Sequence, residues 1–166
     1  GKGETTSTIM GDQISYLSLL NTSEDYVTYH GNFAVGGWAM KFISKNGIGP
    51  RSPNNPEDYT LGYSFQAMLD EFALVKPLVE ATGKKLKVRA SVLTHGESDF
   101  ASTTYKEELK QLAADQKADL FAITGQPSAD PFQLIASQPS GGYPNYSDDT
   151  LSASANLMWL ASLEDS

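Results

Sequence analysis

A short apolar run at residues 86–93 is followed by the polar turn His95-Gly96-Glu97-Ser98-Asp99-Phe100, and then by a helical period over residues 103–118. This order constrains the fold more than anything else in the chain. A strand that feeds a helix through a tight turn is half of a βαβ unit, and the helix then carries the chain back to a parallel neighbour. Two further apolar runs, at 120–124 and 132–136, read as the third and fourth strands. The spacing predicts right-handed crossovers and a mostly parallel sheet. The apolar density of residues 86–93 suits a sheet covered on both faces. The predicted fold class is therefore α/β. A chain of 166 residues, 40% of them apolar, fits a single domain with a real core.

Elsewhere the periodicities are mixed. Ile9, Met10, Ile14, Leu17 and Leu20 fall close to one helical face, which predicts a helix over residues 7–20 ending at Asn21-Thr22-Ser23. Tyr26-Val27-Thr28-Tyr29 has strand composition. Gly31 opens a stretch that passes Gly36-Gly37 and enters a short helix through Phe42 and Ile43. Residues 46–57, dense in Gly, Pro, Asn and Ser, read as a loop. Residues 59–81 are helical by period, with Phe65, Met68, Leu69, Phe72, Val75 and Val79 on the buried face. Pro77 is expected to kink that helix or start a second segment, and Gly83 to cap it. In the next helix Tyr105, Leu109 and Leu112 face inward. Gly125-Gln126-Pro127 closes the third strand.

Charge narrows the function classes. Twelve basic against 20 acidic residues give a net charge of −8, which disfavours a phosphate backbone as partner. No apolar run approaches the roughly 18–20 residues that span a bilayer, and no basic amphipathic stretch points to a membrane surface. The absence of cysteine rules out disulfides and thiolate chemistry. Two separated histidines make no metal ligand set, so neither a metal nor an organic cofactor is implied. The start Gly1-Lys2-Gly3, without an initiator Met or a signal peptide, reads as a processed or trimmed end.

Two turns at strand ends carry the candidate chemistry. In an open parallel sheet the turns Val35-Gly36-Gly37 and His95 to Asp99 lie along one edge, so they can converge on a pocket. Paired glycines let a backbone approach a ligand and present free N–H groups, as an oxyanion in acyl transfer requires. Each turn also has a plain reading. Gly36-Gly37 can be an ordinary tight turn, and 95–99 a charged surface turn capped by Ser98 or Asp99. His95 taken alone is more readily a hydrogen-bonded structural histidine, and His30 still more so.

The order Gly31-x-x-x-Val35-Gly36-Gly37, a long helix, Ala81-x-Gly83-Lys84, an apolar strand, then His95-Gly96-Glu97-Ser98-Asp99 and Tyr105-x-x-x-Leu109-x-x-Leu112 resembles the SGNH (GDSL-like) hydrolases. Among these it is most similar to carbohydrate O-acetylesterases of the sialate O-acetylesterase and acetylxylan esterase type, over residues 4–166. The resemblance implies a three-layer flavodoxin-like sheet and a serine esterase that removes acetyl groups from a carbohydrate. It implies that Gly37 and Gly96 belong to the oxyanion side, with His95 in the place of the family's usual Gln as a side-chain donor. A neutral imidazole can still donate one hydrogen bond. Gly36, Trp38, Glu97, Ser98 and Asp99 would line or brace the pocket, with Glu97 and Asp99 accepting hydrogen bonds rather than acting on substrate.

The departures are specific. No Gly-Asp-Ser or Gly-Gln-Ser turn follows a first strand, since Gly11-Asp12-Gln13 sits within a helical period, and no histidine follows His95. The nucleophile and the Asp-x-x-His base are thus absent from these residues. The expectation is a central portion of such a domain, cut at both ends, whose first strand and last helix come from another chain or from a segment beyond this one. The alternatives are a non-catalytic glycan-binding domain of the same type and a structural domain of a larger extracellular or virion-surface protein. The aromatic stretches 59–63 and 143–146 could stack on sugar in the former. The expected partner is a carbohydrate ester, with neither nucleic acid nor membrane, and the expected location is extracellular or a cell or virion surface.

Overall fold

The structure is a computed structural model. It describes residues 6–22, 27–33, 38–46, 48–52, 55–61, 63–96, 98–99 and 102–137, together with 157, 158, 160, 161 and 163. The chain forms two compact units, residues 1–32 and 33–166. In the first, helix α1 (Thr6–Thr22) covers the predicted helix. Residues 27–29 run as irregular chain rather than the expected strand. A strand exists only where a neighbour completes its ladder, and composition alone supplies none. Within this unit the Ser15 hydroxyl lies 3.4 Å from that of Thr28 and donates to it.

The second unit mixes helix and strand. After the short helix α2 (Met40–Ile43), strands β1 (Ile48–Ser52) and β2 (Asn55–Leu61) pair antiparallel, from Ile48 opposite Leu61 to Ser52 opposite Asn55. This hairpin replaces most of the loop expected at 46–57. Pro50 and Pro56 are compatible with it because in a two-stranded ribbon every strand is an edge, where a missing N–H can face solvent. Helix α3 (Tyr63–Glu80) consequently starts at Tyr63 rather than 59. It runs through Pro77 without a break into a second segment. Ala73, whose carbonyl loses its partner to the proline, is exposed and open to water. Gly83 follows at φ +77°, its N–H on the Glu80 carbonyl at 2.9 Å.

Strand β3 (Ala90–Thr94), helix α4 (Tyr105–Thr124) and strand β4 (Gln133–Ser137) form one βαβ unit. The two strands are parallel and in unbroken register from Ala90–Gln133 to Thr94–Ser137. The third strand expected at 120–124 is instead the last turn and a half of α4. Leu120 and Phe121 are buried there, extending the stripe begun by Tyr105, Leu109 and Leu112. A five-residue apolar run cannot be told from a buried helical turn by composition. Gly125, at φ +74°, ends the helix with its N–H on the Phe121 carbonyl. β3 also begins later than expected, at Ala90. Just before it, the Gln126 side chain takes the place of a neighbouring strand. Its Oε1 accepts from the Val88 N–H at 2.5 Å, and its Nε2 donates to the Val88 carbonyl at 3.0 Å. The core gathers Met40, Phe65, Met68, Tyr105, Leu109, Leu112, Leu120 and Phe121, with Leu93, Leu134 and Ala136 packed against it from one sheet face.

Candidate functional site

The turn after β3 folds on itself before α4 starts. Gly96 is buried at φ +119°, a conformation that favours glycine, and its carbonyl accepts the Asp99 N–H at 3.2 Å. The Asp99 carbonyl in turn accepts the Ser102 N–H at 2.8 Å. These two bonds bring Tyr105, the first residue of α4, back against His95. The two rings lie nearly parallel, 9° apart, with centroids separated by 5.8 Å. Glu107 and Glu108 in the first turn of α4 suit the positive end of its dipole.

The turn grips the segment that follows Gly36-Gly37 at two points. His95 Nε2 lies 2.8 Å from the Trp38 carbonyl oxygen. Asp99 Oδ2 accepts the Met40 N–H at 2.7 Å, the first N–H of α2. The 95–99 turn therefore holds Trp38 and Met40, while Val35-Gly36-Gly37 itself lies outside the described residues. Trp38 and Met40 are both buried. Trp38 meets Phe42 and Tyr63 edge-on, at 6.2 and 6.4 Å between centroids. That packing makes Trp38 a wedge under the turn rather than an open stacking surface.

Both imidazole nitrogens of His95 are engaged. A carbonyl can only accept, so Nε2 carries a proton and donates it to Trp38. In the neutral ring Nδ1 is then an acceptor, and it lies 3.0 Å from the Tyr105 hydroxyl. Asp99 Oδ2 is 3.6 Å from Nε2, beyond a hydrogen bond, and is committed to Met40. This is not the geometry of a base oriented by a carboxylate, which needs the acid on one ring nitrogen and the other free. Burial, and after it the charges of Asp99 and Glu108, push the Tyr105 phenol well above its ordinary range. Its hydroxyl stays protonated and able to donate.

Of the residues singled out from the sequence, the structure joins His95, Gly96, Asp99 and Trp38, while Ser98 is exposed beside them. Gly36, Gly37 and Glu97 lie outside the described residues, as does the stretch 143–146. Tyr105 and Gln126 were not singled out. Tyr105 reads from its period as one more core position, yet a buried tyrosine needs a partner for its hydroxyl, a demand that the period does not reveal. Among the described residues no cluster of three or more His, Asp or Glu side chains is placed to hold a metal, and no helix is long and apolar enough to cross a membrane. Comparison with protein-family models, curated proteins and solved structures finds no match for this chain.

Proposed function

We propose that this chain forms the oxyanion side of an SGNH-type serine esterase that removes acetyl groups from carbohydrate, outside the cell or on a cell or virion surface. The observation that carries the reading is the double grip of the 95–99 turn on the segment after Gly36-Gly37, through Trp38 and Met40. The chain directly after the two glycines is thereby fixed, which suits an oxyanion hole, because donors aimed at a developing charge help most when they need not reorganise. In this reading a main-chain N–H at Gly37 meets the tetrahedral oxyanion, and His95 with Asp99 fixes the turn without touching substrate. The β3–α4–β4 unit supplies two strands of a flavodoxin-like sheet. The serine that attacks the ester, and the histidine that takes its proton and returns it to the leaving sugar hydroxyl, lie outside these 166 residues.

One observation favours a second reading. His95 spends both ring nitrogens within the chain, so no imidazole N–H is left for an oxyanion. A glycan-binding domain of the same type, without turnover, would need none. Acetate release from acetylated xylan, acetylated sialic acid and p-nitrophenyl acetate, measured on the full-length protein that carries this segment, separates the two. Release that falls in Asp99→Ala supports the esterase. Glycan binding with no acetate released above buffer supports the second reading and refutes the first.

A further inference from the structure

We propose that Tyr105 is a positioning residue that acts through His95: its hydroxyl donates to Nδ1 and holds the imidazole in the one rotation in which Nε2–H, the tautomer that the acceptor-only Trp38 carbonyl selects, secures that carbonyl. The relay runs Tyr105 O–H to His95 Nδ1 at 3.0 Å, then His95 Nε2–H to the Trp38 oxygen at 2.8 Å. The Trp38 carbonyl admits one polarity. It cannot donate, and the neutral ring has one proton to share, so in that form the phenol is the donor at Nδ1. Both bonds are needed to fix the ring. With either alone, a half-turn of the imidazole about its Cβ–Cγ axis loses a single bond and with both it loses two, whereas a change of tautomer loses the bond to the carbonyl alone, since the hydroxyl can turn to accept from Nδ1–H. Accepting a hydrogen bond at Nδ1 also draws density from Nε2–H and makes it the stronger donor. Tyr105 is completely buried, so water does not compete for its hydroxyl. Burial also holds the phenol in its protonated form.

The claim about the ring stands on geometry; its effect on turnover rests on the esterase reading. Long-range proton–nitrogen correlation of the full-length protein labelled with nitrogen-15, at mildly alkaline pH, reads the ring directly, with His95 assigned by comparison with His95→Gln. Expected in the unsubstituted protein is a single tautomer protonated at Nε2, with Nδ1 shifted as a hydrogen-bonded acceptor. In Tyr105→Phe, Nδ1 should move to the value of an unbonded ring nitrogen, and exchange of the Nε2 proton with water should speed up at least about tenfold, the loss of roughly one buried hydrogen bond. An Nδ1–H tautomer or an unbonded Nδ1 in the unsubstituted protein overturns the proposal, even where Tyr105→Phe does not fold. So does a folded Tyr105→Phe with both signals unchanged. On an active esterase, kcat should fall several-fold with KM unchanged. A locked ring in a protein without esterase activity supports the relay and counts only against the functional reading.

Discussion

Replacing Asp99 with alanine tests whether the grip on α2 is structural bonding or mere proximity. Its carboxylate meets the Met40 N–H at 2.7 Å, and Met40 is fully buried, so no water can take over when the acceptor is lost. A hydrogen bond to a charged group contributes about 1.5–3 kcal/mol, and a buried donor left unpaired costs about 1–3 kcal/mol. The expected loss for Asp99→Ala is therefore about 2–3 kcal/mol. Asp99→Asn keeps an oxygen in place but removes the charge, and neutral bonds are about half as strong, so it should lose about 1 kcal/mol. Because the chain has two compact units, a global melting curve can mix their transitions. Native-state hydrogen exchange at the Met40 amide isolates the bond, and its opening free energy should fall in the order aspartate, asparagine, alanine. Unchanged Met40 protection in Asp99→Ala, or a loss below about 0.5 kcal/mol, would show that the carboxylate holds nothing.

Two further outcomes follow from groups outside the grip. Gln126→Met keeps the volume but leaves the Val88 N–H and carbonyl without the side-chain amide, and should cost about 2–4 kcal/mol in urea unfolding, with faster exchange of the Val88 amide as the local readout. Above pH 10.0, the ordinary phenol value, the unfolded chain releases the Tyr105 proton while the folded chain keeps it. The unfolded state then binds fewer protons, so stability falls as pH rises, by at most about 1.4 kcal/mol per pH unit for this group. That contribution is fully present below pH 10.0 and should be missing from the alkaline slope of Tyr105→Phe.

The parts of this fold that were legible in the sequence are those whose cause is local. The turn 95–99 announced itself through Gly96, which adopts a positive φ, and through a cluster of short polar side chains that only a turn uses well. Helices α1 and α3 and the strand at 133–137 followed from period and composition. What failed did so where a distant partner decides. Leu120 and Phe121 belong to α4 because Tyr105, Leu109 and Leu112 already face the core on the same stripe, which makes another helical turn the cheapest way to bury them. Residues 48–52 and 55–61 pair as an antiparallel hairpin, a choice that apolar patterning does not encode.

The same division explains why the candidate site was half visible. Composition could mark His95 and Asp99 as able groups, but their roles are fixed by two main-chain atoms, the Trp38 oxygen and the Met40 nitrogen, which have no sequence signature. Backbone polar groups buried near a turn must be paired by something, and here side chains do it: His95 and Asp99 at one end of β3, Gln126 at Val88 before the other. A short sheet creates this demand. β3 and β4 are bonded to each other and, among the described residues, to no third strand, so chain on either side has few main-chain partners to offer. A histidine whose tautomer is set by a main-chain carbonyl, and an aspartate spent on a helix N–H, are thus explained first as answers to that demand. Any chemistry at this turn must work through the backbone they hold in place.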